Sequence, residues 1–141
     1  MKILIIGQAP PAVKQLLPYD TTLLYEMLSW VGIDKNKAQE LFEFEAMTDK
    51  FPGKTNNGHA KPSVIEMNHH YHFVLKQKIE DCKGVLILGN VPKEALQRFG
   101  AYVRYSDKPM VKMIHPSRRN YSKIMAQKEN IISQFNLLIN Q

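Results

Sequence analysis

The sequence predicts an α/β fold, a three-layer α/β/α sandwich around a central, mostly parallel sheet of four to five strands. Three observations carry this. Short, mainly apolar runs closed by a glycine occur at Lys2–Ile6 (KILII) and Gly84–Leu88 (GVLIL). Between and after them lie stretches with apolar residues at helical spacing. The two patterns alternate along the chain. A strand buried on both faces reads as an unbroken apolar run, and alternation with helices leads to right-handed crossovers and parallel pairing.

The elements follow in order. The first strand ends at Gly7 and leads into a proline-rich loop with Ala9, Pro10, Pro11 and Pro18. Asp20, Thr21 and Thr22 offer helix caps, after which Leu23, Leu24, Met27, Leu28 and Val31 recur at helical spacing as far as Gly32. A short helix over Lys35–Phe42 precedes a second strand at about Glu43–Met47, and the polar, turn-forming residues 49–63 read as an exposed loop. Ser63 and Glu66 form a capping-box pattern that opens a helix running to about Cys82. After the third strand, Pro92 suits the first turn of a helix over Lys93–Phe99. Val103–Tyr105 reads as a short strand and Val111–Ile114 as a clearer one. A single final helix spans Ser122–Asn140, with Ile124, Ile131, Phe135 and Leu138 on one face.

A chain of 141 residues with 44% apolar content suits one globular domain over residues 1–141. No apolar run approaches the length of a membrane span, so a cytoplasmic location, no membrane contact and a monomer are expected. One cysteine, Cys82, excludes an internal disulfide, a four-cysteine cluster and a zinc ribbon; at the end of an apolar helix it reads as a buried thiol. Asn68-His69-His70-Tyr71-His72 has the look of a metal site, but one helical turn of histidines without a placed fourth ligand predicts none. Trp30, beside Leu28 and Val31, reads as core packing. The net charge of +6 is unevenly spread: residues 1–82 carry nine Lys/Arg against ten Asp/Glu, and residues 83–141 carry ten against three. That asymmetry points to one face meeting a polyanion. Arg104, Lys108, Lys112, Arg118, Arg119 and Lys123 are its cluster.

In open parallel sheets ligands bind beyond the carboxyl ends of the strands. Each unusual string here falls at such an end: Gly7-Gln8-Ala9-Pro10-Pro11, Glu45-Ala46-Met47, Gly89-Asn90 and His115-Pro116-Ser117-Arg118-Arg119-Asn120. A glycine followed by prolines makes a stiff loop whose free amides, at Gln8 and Ala9, can face a ligand carbonyl. It has neither the spacing of a phosphate loop nor that of a dinucleotide fingerprint. A histidine just after a buried strand, stiffened by Pro116, is firmly held, and Ser117, Arg118 and Arg119 suit phosphate contacts.

GQAPP after the first strand and HPSRRN after the last resemble the two signature loops of the uracil-DNA glycosylase superfamily. PYDTTLLYEMLSWVGI (Pro18–Ile33) is similar to the segment carrying that family's base-stacking aromatic and first long helix. VLILGNVPKEAL (Val85–Leu96) is similar to the strand–Gly–helix unit before the histidine loop. The order and spacing match over nearly the whole chain, and the alanine of the first motif resembles the type-B branch.

The resemblance implies a monofunctional DNA glycosylase without cofactor, whose partner is DNA, held by its phosphates and by one flipped base. His115 would donate to the leaving base, with the amides of Gln8 and Ala9 holding the same oxygen. Gly7, Pro10 and Asn90 would line the substrate loop ends, and Tyr19 would stack on the base. Ser117, Arg118, Arg119, Asn120 and Lys123 would hold DNA. A stacked base is unreachable, so such an enzyme extrudes it into a pocket. Cleavage then builds negative charge on the base, which fixed dipoles stabilise.

Two departures stand out. Ala9 replaces the Asp or Asn with which many relatives position water, and Asp20 is the candidate acid, although it also suits a helix cap. Glu45 stands where relatives place the Asn that reads the base edge. An ionised carboxylate only accepts hydrogen bonds. Either the pocket favours a base bearing an amino group, or burial raises the Glu45 pKa so that the protonated acid donates as well. Ala9 also leaves open a catalytically silent DNA- or nucleotide-binding module. A generic α/β hydrolase is disfavoured by the absence of a nucleophile elbow.

Overall fold

The computed structural model describes residues 1–10, 21–55 and 58–140. Four parallel strands form the main sheet in the order β2-β1-β5-β6: β1 (Ile3–Gly7), β2 (Phe42–Ala46), β5 (Gly84–Leu88) and β6 (Met110–Met113). In register, Ile6 sits beside Glu45 on one side and Ile87 on the other. The central strands β1 and β5 are buried along their whole length, as their continuous apolar runs require.

Alternate residues of β1 feed two separate cores, because successive strand side chains point to opposite faces. Ile3 and Ile5 pack with Leu24, Met27 and Leu28 of α1 (Thr22–Ser29) and with Ala38 of α2 (Lys35–Leu41). Ile124 of α7 (Tyr121–Ala126) and Ile131, Phe135 and Leu138 of α8 (Lys128–Ile139) complete that layer. Leu4 and Ile6 pack with Met67 of α3 (Val64–His70) and Ile79 of α4 (Lys76–Asp81). Leu96 of α5 (Asn90–Arg98) and Ala101 of α6 (Ala101–Arg104) join them. Helices therefore cover both faces of a parallel sheet, the architecture expected.

Several elements differ from their sequence reading. The helix opened by Ser63, whose Oγ accepts from the Glu66 amide at 3.1 Å, does run to Asp81, but Tyr71–Leu75 form a π-helical turn inside it. Its inward residues Met67, Tyr71, Leu75 and Ile79 recur every fourth position. In a pure α-helix that spacing drifts by about 40° per step, and the wider π turn takes up the drift so that all four stay on the core. Val103–Tyr105 is not a strand: Gly100, at φ +81°, ends α5, and the chain turns into α6. Ala101 and Tyr105, four apart, are buried while Val103 is 83% exposed, so one-sided packing overrides the β-propensity of the tripeptide. The last helix is two, broken at Gln127, whose φ of −103° and ψ of 15° leave the helical region. Within residues 49–63, β3 (Lys54–Thr55) and β4 (Gly58–His59) pair antiparallel. Thr21 precedes α1 without a side-chain cap bond, and Asp20 lies outside the described residues.

Candidate active site

Because all four strands run parallel, their carboxyl ends share one edge, from which the loops after β1, β5 and β6 leave, those after β5 and β6 in contact through Gly89 and His115. Past Gly7 the chain leaves the ladder: the Met47 amide is shared between the Gly7 and Gln8 carbonyls at 3.0 and 3.2 Å. The amides of Gln8 and Ala9 donate to no described backbone carbonyl, while Gln8, Ala9 and Pro10 remain half-buried. The Gln8 side chain instead reaches Ala60, with Nε2 3.5 Å from its carbonyl.

His115 is held from several sides. Gly89 donates its N–H to the Met113 carbonyl at 2.8 Å, which draws the end of β5 against the end of β6. Gly89 sits at φ +93°, ψ −176°, and a Cβ there would lie 3.1 Å from His115 Cβ, so only glycine lets the two chains come this close. The His115 carbonyl accepts from the Ser117 amide at 2.9 Å and from Asn120 Nδ2 at 3.0 Å, and Pro116 is buried behind it. Asn120, expected on DNA, thus has an internal part as the clamp of the histidine loop. Although His115 keeps accessible surface, protein packed around its ring lowers its pKa below the ordinary histidine value. A backbone hydrogen bond opposes this, and the Arg119 charge, a smaller influence, adds to it. The ring is therefore neutral at neutral pH and offers one N–H donor.

The loop after His115 forms a short 3-10 turn at Arg118–Asn120, with Arg118 and Arg119 exposed and the Arg118 guanidinium 6.0 Å from the Tyr121 ring centre. Below it lies an open cleft of about 510 Å³ that brings together His115, Asn90, Asn120 and Lys123. Its other walls include Lys112, Gln127, Asn130 and Gln134. Lys112 had been grouped only by charge, and the three carboxamides carry no motif in sequence; their contribution follows from α8 lying along β6.

Glu45 does not join this group. It lies on the edge strand β2, three strand spacings from β6, or about 14 Å across the sheet. Its Oε2 is 2.6 Å from Lys78 Nζ, which also binds Glu43 at 2.6 Å, and its Oε1 is 3.5 Å from His70 Nε2. His70 Nε2 is buried and makes no hydrogen bond of good geometry to a described residue. The expectation of a protonated Glu45 is overturned. Burial raises its pKa, but His70 and Lys78 outweigh burial and leave the carboxyl below its usual value, ionised and occupied. His69 and His72 diverge from His70: His69 stacks on Phe73 with ring centres 4.5 Å apart, and His72 lies edge-on to Tyr71 at 5.2 Å.

The basic cluster is smaller than charge counting suggests. Lys108 closes the end of α4, with Nζ 2.6 Å from the Ile79 carbonyl and 2.8 Å from that of Cys82. Arg104 is 3.2 Å from Glu80 and bonds the Tyr105 hydroxyl at 3.1 Å. Both precede β6, at the amino-end edge of the sheet, opposite the edge that bears His115. Cys82 is buried, its thiol bonded to the Ile79 carbonyl and its pKa raised by burial, as expected of a structural thiol. Trp30 packs on the first core, with Lys128 Nζ 4.9 Å from its ring centre. Tyr19 and Asp20 lie outside the described residues. Among the described residues, no helix is long and apolar enough to cross a membrane.

A parallel sheet of this order, with a glycine–proline loop after β1 and a clamped histidine after β6, defines an architecture that comparison with known proteins identifies. The family model described as the uracil DNA glycosylase superfamily matches residues 1–138, and the chain belongs to that superfamily. The crystal structure of wild-type SMUG2 from Pedobacter heparinus superposes with a TM-score of 0.61 at 16% identity. The match covers 99% of this chain and 76% of that one, a likeness of fold. No curated protein matches the chain.

Proposed function

We propose that the protein is a monofunctional DNA glycosylase that flips a uracil or other deaminated or modified base out of DNA and hydrolyses its N-glycosidic bond. One observation carries the reading: a neutral His115, held through its backbone carbonyl, at the strand-end edge that also bears the amides of Gln8 and Ala9, which donate to no described backbone carbonyl. In the reaction, water adds to the sugar carbon as the carbon–nitrogen bond breaks, and the electron pair leaves with the base. His115 donates to the base oxygen on which charge accumulates, and the Gln8 and Ala9 amides share it. Preorganised donors of this kind act without reorganising when the charge appears. Gly7 and Pro10 set the course of that loop, Tyr19 stacks on the flipped base, and Asp20 positions water in place of the missing side chain at Ala9. Ser117, Arg118, Arg119 and Lys123 hold phosphates, with Asn90 beside the histidine.

Because Glu45 is ionised and bound to Lys78, it does not read the edge of uracil by donation. It acts instead as a structural carboxylate that anchors β2 to α4. Ala9 favours a second reading, a DNA-binding member of the superfamily without catalysis. Duplex and single-stranded oligonucleotides, each carrying one uracil, hypoxanthine, xanthine or oxidised pyrimidine, separate the two. Abasic-site formation on at least one substrate supports the glycosylase. Binding without abasic sites on any of them supports the silent reading.

A further inference from the structure

The cleft beneath His115 has a chemical character that base excision does not require. Two cations line it, Lys112 and Lys123, with no carboxylate among its described walls and no ion pair from either lysine to a described residue. The carboxamides Asn90, Gln127 and Asn130 also face it, and their side chains bond to no described residue. Two further carboxamides stiffen it: Gln134 Nε2 holds the Lys112 carbonyl at 3.1 Å, and Asn120 holds that of His115. A bare anion needs donors only. Each carboxamide offers a donor and an acceptor together, which matches the mixed edge of a nucleobase. The volume, about 510 Å³, lies within the range of sites that hold small organic ligands.

We propose that this cleft is a second nucleotide site, distinct from the flipped-base pocket. Lys112 and Lys123 take the phosphate, and Asn90, Gln127 and Asn130 take the base edge. The described loop residues Gly7 to Pro10, where the glycosylase reading seats the flipped base, are not among its walls, whereas His115 is. A nucleotide within a strand would therefore be a neighbour of the excised one, a consequence that rests on the glycosylase reading. A free nucleotide would satisfy the same groups.

Calorimetric titration with deoxyadenosine monophosphate, deoxyadenosine and inorganic phosphate tests the site without relying on activity. The nucleotide should bind at least tenfold more tightly than either fragment. The Lys112→Gln/Asn130→Leu double variant should lose at least tenfold in nucleotide affinity while keeping the thermal midpoint. Lys112→Arg should retain binding and serves as the control for folding. Equal affinity for phosphate and nucleotide, or unchanged binding by a folded double variant, would overturn the proposal.

A second arm identifies the source of the ligand. With a short single strand carrying the excised base, replacing one flanking base by an abasic unit should raise KM several-fold in wild type but not in the Asn130→Leu variant, with kcat preserved. No such rise, alongside nucleotide binding, assigns the cleft to a free nucleotide. Nucleotide binding that depends on Lys112 and Asn130, in a protein that excises nothing, would sink the glycosylase reading and leave this site standing.

Discussion

Gly89→Ala probes the joint between fold and site. At φ +93° and ψ −176° Gly89 occupies a region essentially confined to glycine, and forcing a side chain into it costs about 1–3 kcal/mol. For a chain of this size each kcal/mol lowers the thermal midpoint by about 3–4 °C, so a fall of roughly 3–12 °C is expected. The new methyl would also lie 3.1 Å from His115 Cβ, and one of the two must give by a few tenths of an ångström. His115 is clamped through its carbonyl by Ser117 and Asn120, so the shift falls on the ring. A misplacement of about 1 Å costs about a hundredfold in rate; a shift of a few tenths should cost about four- to tenfold. Differential scanning calorimetry and single-turnover excision measure the two effects on one preparation. An unchanged midpoint would refute the assignment of strain to Gly89, and a lowered midpoint with an unchanged rate would refute the placement of His115 at the reacting base.

Three further outcomes are expected. Lys78→Met leaves Glu45 partly buried without its cation and should cost about 1–2 kcal/mol, between an exposed pair and a fully buried one. Because the Glu45 pKa is lowered on folding, its contribution is full above the unfolded value of 4.5 and fades as pH falls through the folded value. Wild type and Lys78→Met should accordingly converge in stability in acid, and a constant gap in urea unfolding down to pH 3 would contradict this. Binding to DNA should weaken with salt at a log–log slope of about −2.7 if Arg118, Arg119 and Lys123 each meet one phosphate. Arg104→Gln should leave that slope unchanged in fluorescence anisotropy, and a reduced slope would return Arg104 to the interface. Asp20→Asn should keep any helix cap, since Asn caps nearly as well as Asp, yet lower excision at least tenfold. Full activity would remove Asp20 as the acid.

The features legible in the sequence are those set by local pattern. β1 and β5 are central strands buried on both faces, so five consecutive buried residues in each are written as apolar runs. The carboxyl-end loops were legible because Gly7, Gly89 and Pro116 are backbone devices with fixed positions. Illegible features depend on partners distant in sequence. Lys78 meets Glu45 across 33 residues, and Lys108 reaches the end of α4 across 29. Counting charge treats both lysines as free. Val103 and Tyr105 read as a strand because their propensity is local, whereas the burial of Ala101 and Tyr105 on one side is tertiary. The hairpin of β3 and β4 has only two residues in each strand, too few to stand out from the turn-forming composition around it. Asn90, His115, Asn120 and Lys123 of the polar cleft stood in the strand-end strings or beside them, whereas Gln127, Asn130 and Gln134, at the α7–α8 break and on α8, carried no signal.

The most direct test of the account compares wild type with His115→Ala in single-turnover excision on whichever modified base the wild type removes, with DNA affinity measured in parallel. Loss of one preorganised donor predicts a rate lower by about 10²–10³, with an unchanged thermal midpoint and DNA affinity within threefold of wild type. A folded His115→Ala protein that excises at the wild-type rate would contradict the account at its centre.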